Sequence, residues 1–194
     1  MRLLLSRIWL ALWRWKVVQL EPLPPKCVMI AAPHTSNWDF PITLAMAAVS
    51  GIDIRWLGKE QMFNPVLGPM FRWLGGISVK RSSSTGLVGD LAAEFERHDQ
   101  LVLVVPAEGT RGAVDYWKSG FYRIAQQAQV PIVCAFVDRS TRSGGFGPVI
   151  TPSGDVVADM DRIREFYAGK TGLKPNRFSV PRLHEEDQEP ANGN

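Results

Sequence analysis

One histidine and one aspartate, His34 and Asp39, stand five positions apart in the stretch PHTSNWDF. Histidine has the side-chain pKa nearest neutrality, so it can take a proton from a hydroxyl and return it within one turnover. A carboxylate on the other ring nitrogen fixes the tautomer and stabilises the imidazolium that forms. Five residues along a regular helix would turn Asp39 about 140° away from His34. The two can meet in a turn that leads into a helix, and the bracketing Pro33 and Pro41 permit one. Taken alone, the pair fits a structural hydrogen bond as well as a proton relay.

A second stretch, LVLVVPAEGTRG, runs an apolar strand into Pro106 and then offers Glu108, Gly109, Thr110 and Arg111 in a tight connection. Gly109 lets the backbone approach a ligand closely. Arg111 can clamp phosphate or carboxylate through two donors, or simply pair with Glu108. A third stretch, LGKEQMFNPVLGPMFRWLGGISVKRSSS, sets Lys59, Arg72, Lys80 and Arg81 around Gly, Pro and aromatic residues. Cations flanking apolar residues suit an anionic head with an apolar tail, although a solvated basic face has the same composition.

These residues need a scaffold, and the hydrophobic pattern supplies one. CVMIAAP is a short apolar run ended by Pro33 and reads as a buried strand. PITLAMAAV reads as a helix with Pro41 in its first turn, where proline is tolerated. His34 then lies in a strand-to-helix connection and Asp39 at or near the N-cap. IDIRWLG, ISVKR, LVLVVP and VPIVCAFVD read as further strands. PVLGPMFRWLGG reads as a short helix with loops, and SSSTGLVGDLAAEFERHD, KSGFYRIAQQAQ and DVVADMDRIREFYA as longer helices. Strands alternating with helices predict a single α/β domain, in which ligand sites favour the loops beyond strand C-termini. The domain is expected over residues 26–173, after an N-terminal helix over 1–20. The polar, proline-containing segment 174–194 is expected to be a flexible tail.

Composition narrows the function classes. With 194 residues, 45% apolar and 21% charged, the chain is long enough for one well-buried core. Residues 1–81 carry ten Lys and Arg against four Asp and Glu, a net of +6, and the remainder carries −3. A basic first half with many of the seven tryptophans suits an anionic surface or substrate. Cys27 and Cys134 sit inside apolar runs, which argues against a disulfide framework or a paired-cysteine zinc site and fits a reducing cytosol. No P-loop, dinucleotide fingerprint or nucleic-acid reading module is present. His98, among charged neighbours, and His184, in the expected tail, receive no role. The start, MRLLLSRIWLALWRWKVVQL, is interrupted by Arg7, Arg14 and Lys16, so it reads as an amphipathic helix at a membrane surface rather than a span. A terminal helix packed on the domain's own core is the alternative.

Together the motifs resemble the glycerolipid acyltransferase family of the PlsC type, whose best-known member is bacterial lysophosphatidate acyltransferase. HTSNWD matches that family's H-x4-D motif, and GKEQMFNPVLGPMFRWLGGISVKR its second block. PAEGTRG matches the E-G-T-R block, and VPIVCAF is similar to the fourth, proline-led strand. All four occur in family order over roughly residues 28–137. The fourth block departs by carrying Cys134-Ala135 where a second proline is frequent, and the connection from Arg111 to Lys118 is short.

The resemblance implies an α/β fold with a mixed central sheet flanked by helices, docked on the cytoplasmic face of the membrane through its N-terminus. It implies that His34 deprotonates an acceptor hydroxyl for attack on a thioester, with Asp39 orienting and charge-balancing the imidazole. Lys59, Arg81, Glu108, Gly109, Thr110 and Arg111 would match positions that bind a lysophospholipid acceptor, by default lysophosphatidate. No metal or resident cofactor is implied; acyl-CoA or acyl carrier protein would bring the acyl group. Three alternatives keep the same fold: transfer to a non-phosphate acceptor, thioester hydrolysis, and lipid binding without catalysis.

Overall fold

The computed structural model describes residues 2–79 and 84–187. Among the described residues, six α-helices and seven strands follow one another: α1 (Arg2–Leu12), β1 (Lys16–Gln19), β2 (Lys26–Ala31), α2 (Asp39–Val49), β3 (Ile54–Lys59), α3 (Gly68–Trp73), β4 (Gly76–Val79), α4 (Ser84–Arg97), β5 (Leu101–Val105), α5 (Gly120–Gln127), β6 (Ile132–Asp138), β7 (Ser143–Ile150) and α6 (Val156–Tyr167). The strands form one sheet in the order β1-β7-β6-β2-β5-β3-β4. Every neighbouring pair is parallel except β6 and β7. The protein is therefore a single α/β domain with a mixed seven-stranded sheet flanked by helices.

Both faces of the sheet are covered, so the central strands are apolar at nearly every position. Along β2, Val28 and Ile30 point to one face, where they meet Leu103, Ile132 and residues of α4, α5 and α6 such as Phe95, Phe121 and Ile163. Met29 points to the other, with Ile54, Trp56, Val104 and Phe146, beneath α2 and the segment 60–73. Leu10 of α1 is buried against Ile42 and Met46 of α2, which places α1 on this second layer.

Three sequence expectations are corrected. The N-terminal helix stops at Leu12 rather than near residue 20. Arg14 adopts φ +56°, and the Trp15 N–H reaches Leu10 O while the Arg14 N–H reaches Ala11 O, a Schellman closure in which Arg14 holds the position glycine usually takes. Residues 16–19 then leave as edge strand β1, paired with β7. Strand β7 itself was not expected, because SGGFGPVI has neither alternation nor an apolar run, and interior Gly and Pro argue against a strand. Its glycine is a packing requirement: a Cβ on Gly145 would fall onto the Val18 carbonyl oxygen of β1. Finally, residues 174–187 lie along the domain instead of trailing from it. Leu183 and Ser179 are buried, the Trp117 N–H donates to Arg182 O, and Arg164 Nη1 donates to Pro181 O. Segment polarity misled there because the polar side chains are themselves attachments, with Glu185 and Glu186 paired to Arg123 and Arg164, while backbone groups make others. Residues 188–194 fall outside the described part.

Candidate active site

Strands β2 and β5 are parallel neighbours with Ile30 opposite Val105. Both end at the same edge of the sheet, so the connection carrying His34 and the one carrying Glu108 to Arg111 emerge side by side. The first turns at once into α2, whose first residue is Asp39. Trp38 at the N-cap makes no side-chain cap bond. Instead the Asp39 carboxylate folds back, and its Oδ2 accepts the N–H groups of Thr35 and Ser36, each at 2.7 Å. That turn brings His34 Nδ1 to 3.5 Å from the same Oδ2. The separation is longer than a formed hydrogen bond, and catalytic contacts often tighten only when substrate binds. Asp39 Oδ1 is buried with no hydrogen-bond partner among the described residues.

Burial governs the protonation states. It lowers the His34 pKa from 6.5 to about 4, assisted by the positive charge of Arg111. The imidazole is therefore neutral at pH 7, as a base must be. Burial raises Asp39 from 3.8 to about 6, against the opposing pull of the Ser36 and Thr35 N–H groups and of Arg111. At neutral pH the pair is a neutral imidazole beside a carboxylate. With Nδ1 turned to Asp39, Nε2 is the nitrogen free to accept a proton.

The pair sits on the wall of a cavity of about 340 Å³. His34, Asn37, Asp39, Thr43 and Arg111 supply its polar lining. Its apolar walls include Met46 of α2, Ile54 and Trp56 of β3, Phe71 of α3, Phe136 of β6 and Phe146 of β7. Such a site fits an apolar chain whose reactive end lies at His34.

The other expected residues divide. Arg111 is exposed and lines the cavity, as an anion-binding cation should. Thr110 is exposed beside it. Gly109 takes φ +69°, and a Cβ there would crowd Lys118 Cγ at 3.0 Å. Glu108 is 1% exposed, and its Oε2 accepts the His34 N–H at 2.8 Å. It supports the His34 turn from behind. Burial raises its pKa from 4.5 to about 7, against the N–H groups of His34 and Ser179. Lys59 ends β3 at the same sheet edge, exposed, and is not part of the cavity wall. Arg81 lies outside the described residues. Asn37 on the cavity wall and Lys118 against Gly109 were not expected from the sequence; the first had only its place inside HTSNWD as a signal, and the second its nearness to EGTR. Among the described residues, no three His, Cys, Asp or Glu side chains are grouped to hold a metal ion.

Comparison with known proteins agrees with this geometry. The acyltransferase family model matches residues 14–138, more than half of the chain and both loops of the site. The chain belongs to the acyltransferase family. The crystal structure of the 1-acyl-sn-glycerophosphate (LPA) acyltransferase PlsC from Thermotoga maritima is similar in fold, with a TM-score of 0.59 at 15% identity over 88% of this chain and 80% of that one. No curated protein matches. His34 and Asp39 both fall within the residues matched to the acyltransferase family, and both line the cavity.

Proposed function

We propose that the protein transfers a fatty acyl group from a thioester donor, acyl-CoA or acyl carrier protein, to the hydroxyl of a lysophospholipid. Lysophosphatidate is the default acceptor, since the Thermotoga maritima neighbour acts on 1-acyl-sn-glycerophosphate and Arg111 stands ready for a phosphate at the cavity wall. The observation that carries the reading is the His34–Asp39 pair at 3.5 Å on the wall of an apolar cavity.

His34 Nε2 takes the proton from the acceptor hydroxyl as the oxygen attacks the thioester carbonyl. Asp39 stabilises the imidazolium through Nδ1–H. The tetrahedral intermediate collapses by breaking the C–S bond, and the imidazolium returns its proton to the leaving thiolate. The products are a diacylated lipid and a free thiol. The reaction takes place at a membrane surface, on the cytoplasmic face. In support, α1 leaves Leu4, Ile8 and Leu12 exposed at 62%, 57% and 74%, next to the basic residues Arg7 and Arg14. No described helix is long and apolar enough to cross a membrane.

The test combines purified protein, acyl-CoA and lysophosphatidate, following thiol release and the lipid product together. Acceptor-dependent thiol release with a matching diacyl product is expected, and His34→Ala should lower kcat by at least about 10³-fold. Near-native turnover by that variant would end the proposal. Thiol release that ignores the acceptor would assign a thioesterase instead.

A further inference from the structure

The segment from Thr171 onward crosses behind both loops of the site. It starts from Asp138 at the end of β6, whose Oδ1 accepts the Thr171 N–H at 3.2 Å and the Thr171 hydroxyl at 3.0 Å. Next comes Gly172, which is buried. A Cβ there would lie 2.6 Å from Thr35 Oγ1, 2.7 Å from Thr35 Cγ2 and 2.9 Å from Pro33 Cβ. Gly172 is not among the glycines of positive φ, so the requirement is one of space: the backbone of this segment presses on the residues either side of His34. Two residues on, the Lys174 N–H donates to Thr35 Oγ1 at 3.0 Å. Thr35 is fully buried, and its own N–H is one of the two that hold the Asp39 carboxylate. Farther along, the Ser179 hydroxyl accepts the Val114 N–H at 2.7 Å, and the Ser179 N–H faces the Glu108 carboxylate that anchors the His34 backbone. Arg182 and Leu183 then fasten the segment to Trp117 and the core.

We infer that residues 171–183 are a positioning strap, in which Thr35 and Gly172 set the His34–Asp39 turn in register from a point about 140 residues away in the chain. The inference rests on reading His34 as the base. Tolerances explain why a strap is useful: a misplacement of about 1 Å can cost a hundredfold in rate, and the seven-residue connection between β2 and α2 lies outside the regular ladders that would resist it.

Three variants test the strap. Thr35→Val removes the Oγ acceptor at nearly constant volume, Thr35→Ser keeps it, and Gly172→Ala pushes on the turn without touching any ionisable group. For each, the readouts are kcat, KM for donor and acceptor, thermal unfolding, and a pH titration of the His34 ring followed by NMR. Thr35→Val and Gly172→Ala should lower kcat by about tenfold or more with both KM values within about twofold, and should move the His34 titration upward as water reaches the ring. Thr35→Ser should stay near wild type. Native kcat with an unmoved titration in both damaging variants would overturn the strap, as would a Thr35→Ser loss equal to that of Thr35→Val. A kcat loss that only tracks the folded fraction would overturn it too. The titration needs no substrate, so a wild-type protein that transfers no acyl group would sink the proposed function while this readout still decided the positioning.

Discussion

At the scale of single residues, the site couples two costs. Asp39 must be ionised to stabilise an imidazolium, yet burial makes that ionisation unfavourable and lifts its pKa from 3.8 to about 6. Between those values the folded protein binds more protons than the unfolded chain, so the contribution of Asp39 to stability is present below about pH 4 and is lost as pH rises through about 6. Asp39→Asn, which cannot ionise, should therefore match the wild type in stability at pH 4 and exceed it at pH 7. The gain is at most about 3 kcal/mol for a shift of this size; unfolding midpoints across pH measure it. The same variant should lose activity by about 10²-fold or more. In the wild type, kcat/KM should rise with pH along a limb near 6 that reports Asp39, since His34 is already neutral above about 4. Arg111→Gln belongs to this scale as well. It should raise the acceptor KM about tenfold or more with little change in kcat, as expected for a charge-assisted bond to phosphate. An unchanged KM would favour an acceptor without phosphate.

At the scale of elements, two backbone positions decide how the N-terminal part of the chain joins the sheet. Arg14 holds a left-handed conformation, with φ +56°, at which a side chain costs about 1 kcal/mol or more. Arg14→Gly should relieve that and raise stability by about 0.5–1 kcal/mol in denaturant titrations, the gain being trimmed by the freer unfolded chain. Gly145 is the opposite case. Its Cα faces the Val18 carbonyl across the β1–β7 pair, so Gly145→Ala should destabilise by about 2 kcal/mol or more through forced separation of the strands. Because Gly145 also lines the cavity, a loosened β7 should be accompanied by altered acyl-chain preference.

At the scale of the whole molecule, charge and exposure fall together. The basic net charge of residues 1–81 belongs to the part of the chain that includes α1, α2 and the segment 60–73. Exposed apolar side chains gather there as well: Leu4, Ile8 and Leu12 on α1, and Val66, Leu67 and Met70 near α3. A surface of this kind should bind anionic vesicles more tightly than neutral ones and lose part of that binding as salt is added. Replacing Leu4 and Ile8 by Asp should abolish sedimentation with anionic vesicles and leave the unfolding midpoint unchanged, because neither side chain is buried.

The sequence by itself determined the α/β alternation, most of the strands and helices, and the grouping of HTSNWD with EGTR, because buried strands leave dense apolar runs and loop chemistry leaves compact motifs. The placement of His34, Asp39 and Arg111 in neighbouring loops was legible for that reason. Only the tertiary structure decided that β1 and β7 exist, since Val17-Val18 sits inside an otherwise helical run and a strand of glycines is held by its neighbours rather than by its own pattern. It also set the buried Glu108 carboxylate on the His34 N–H and laid the polar segment from Lys174 onward against Thr35 and the domain. Both depend on contacts between residues more than 70 positions apart, and no local spacing records which distant backbone N–H a carboxylate or hydroxyl will meet.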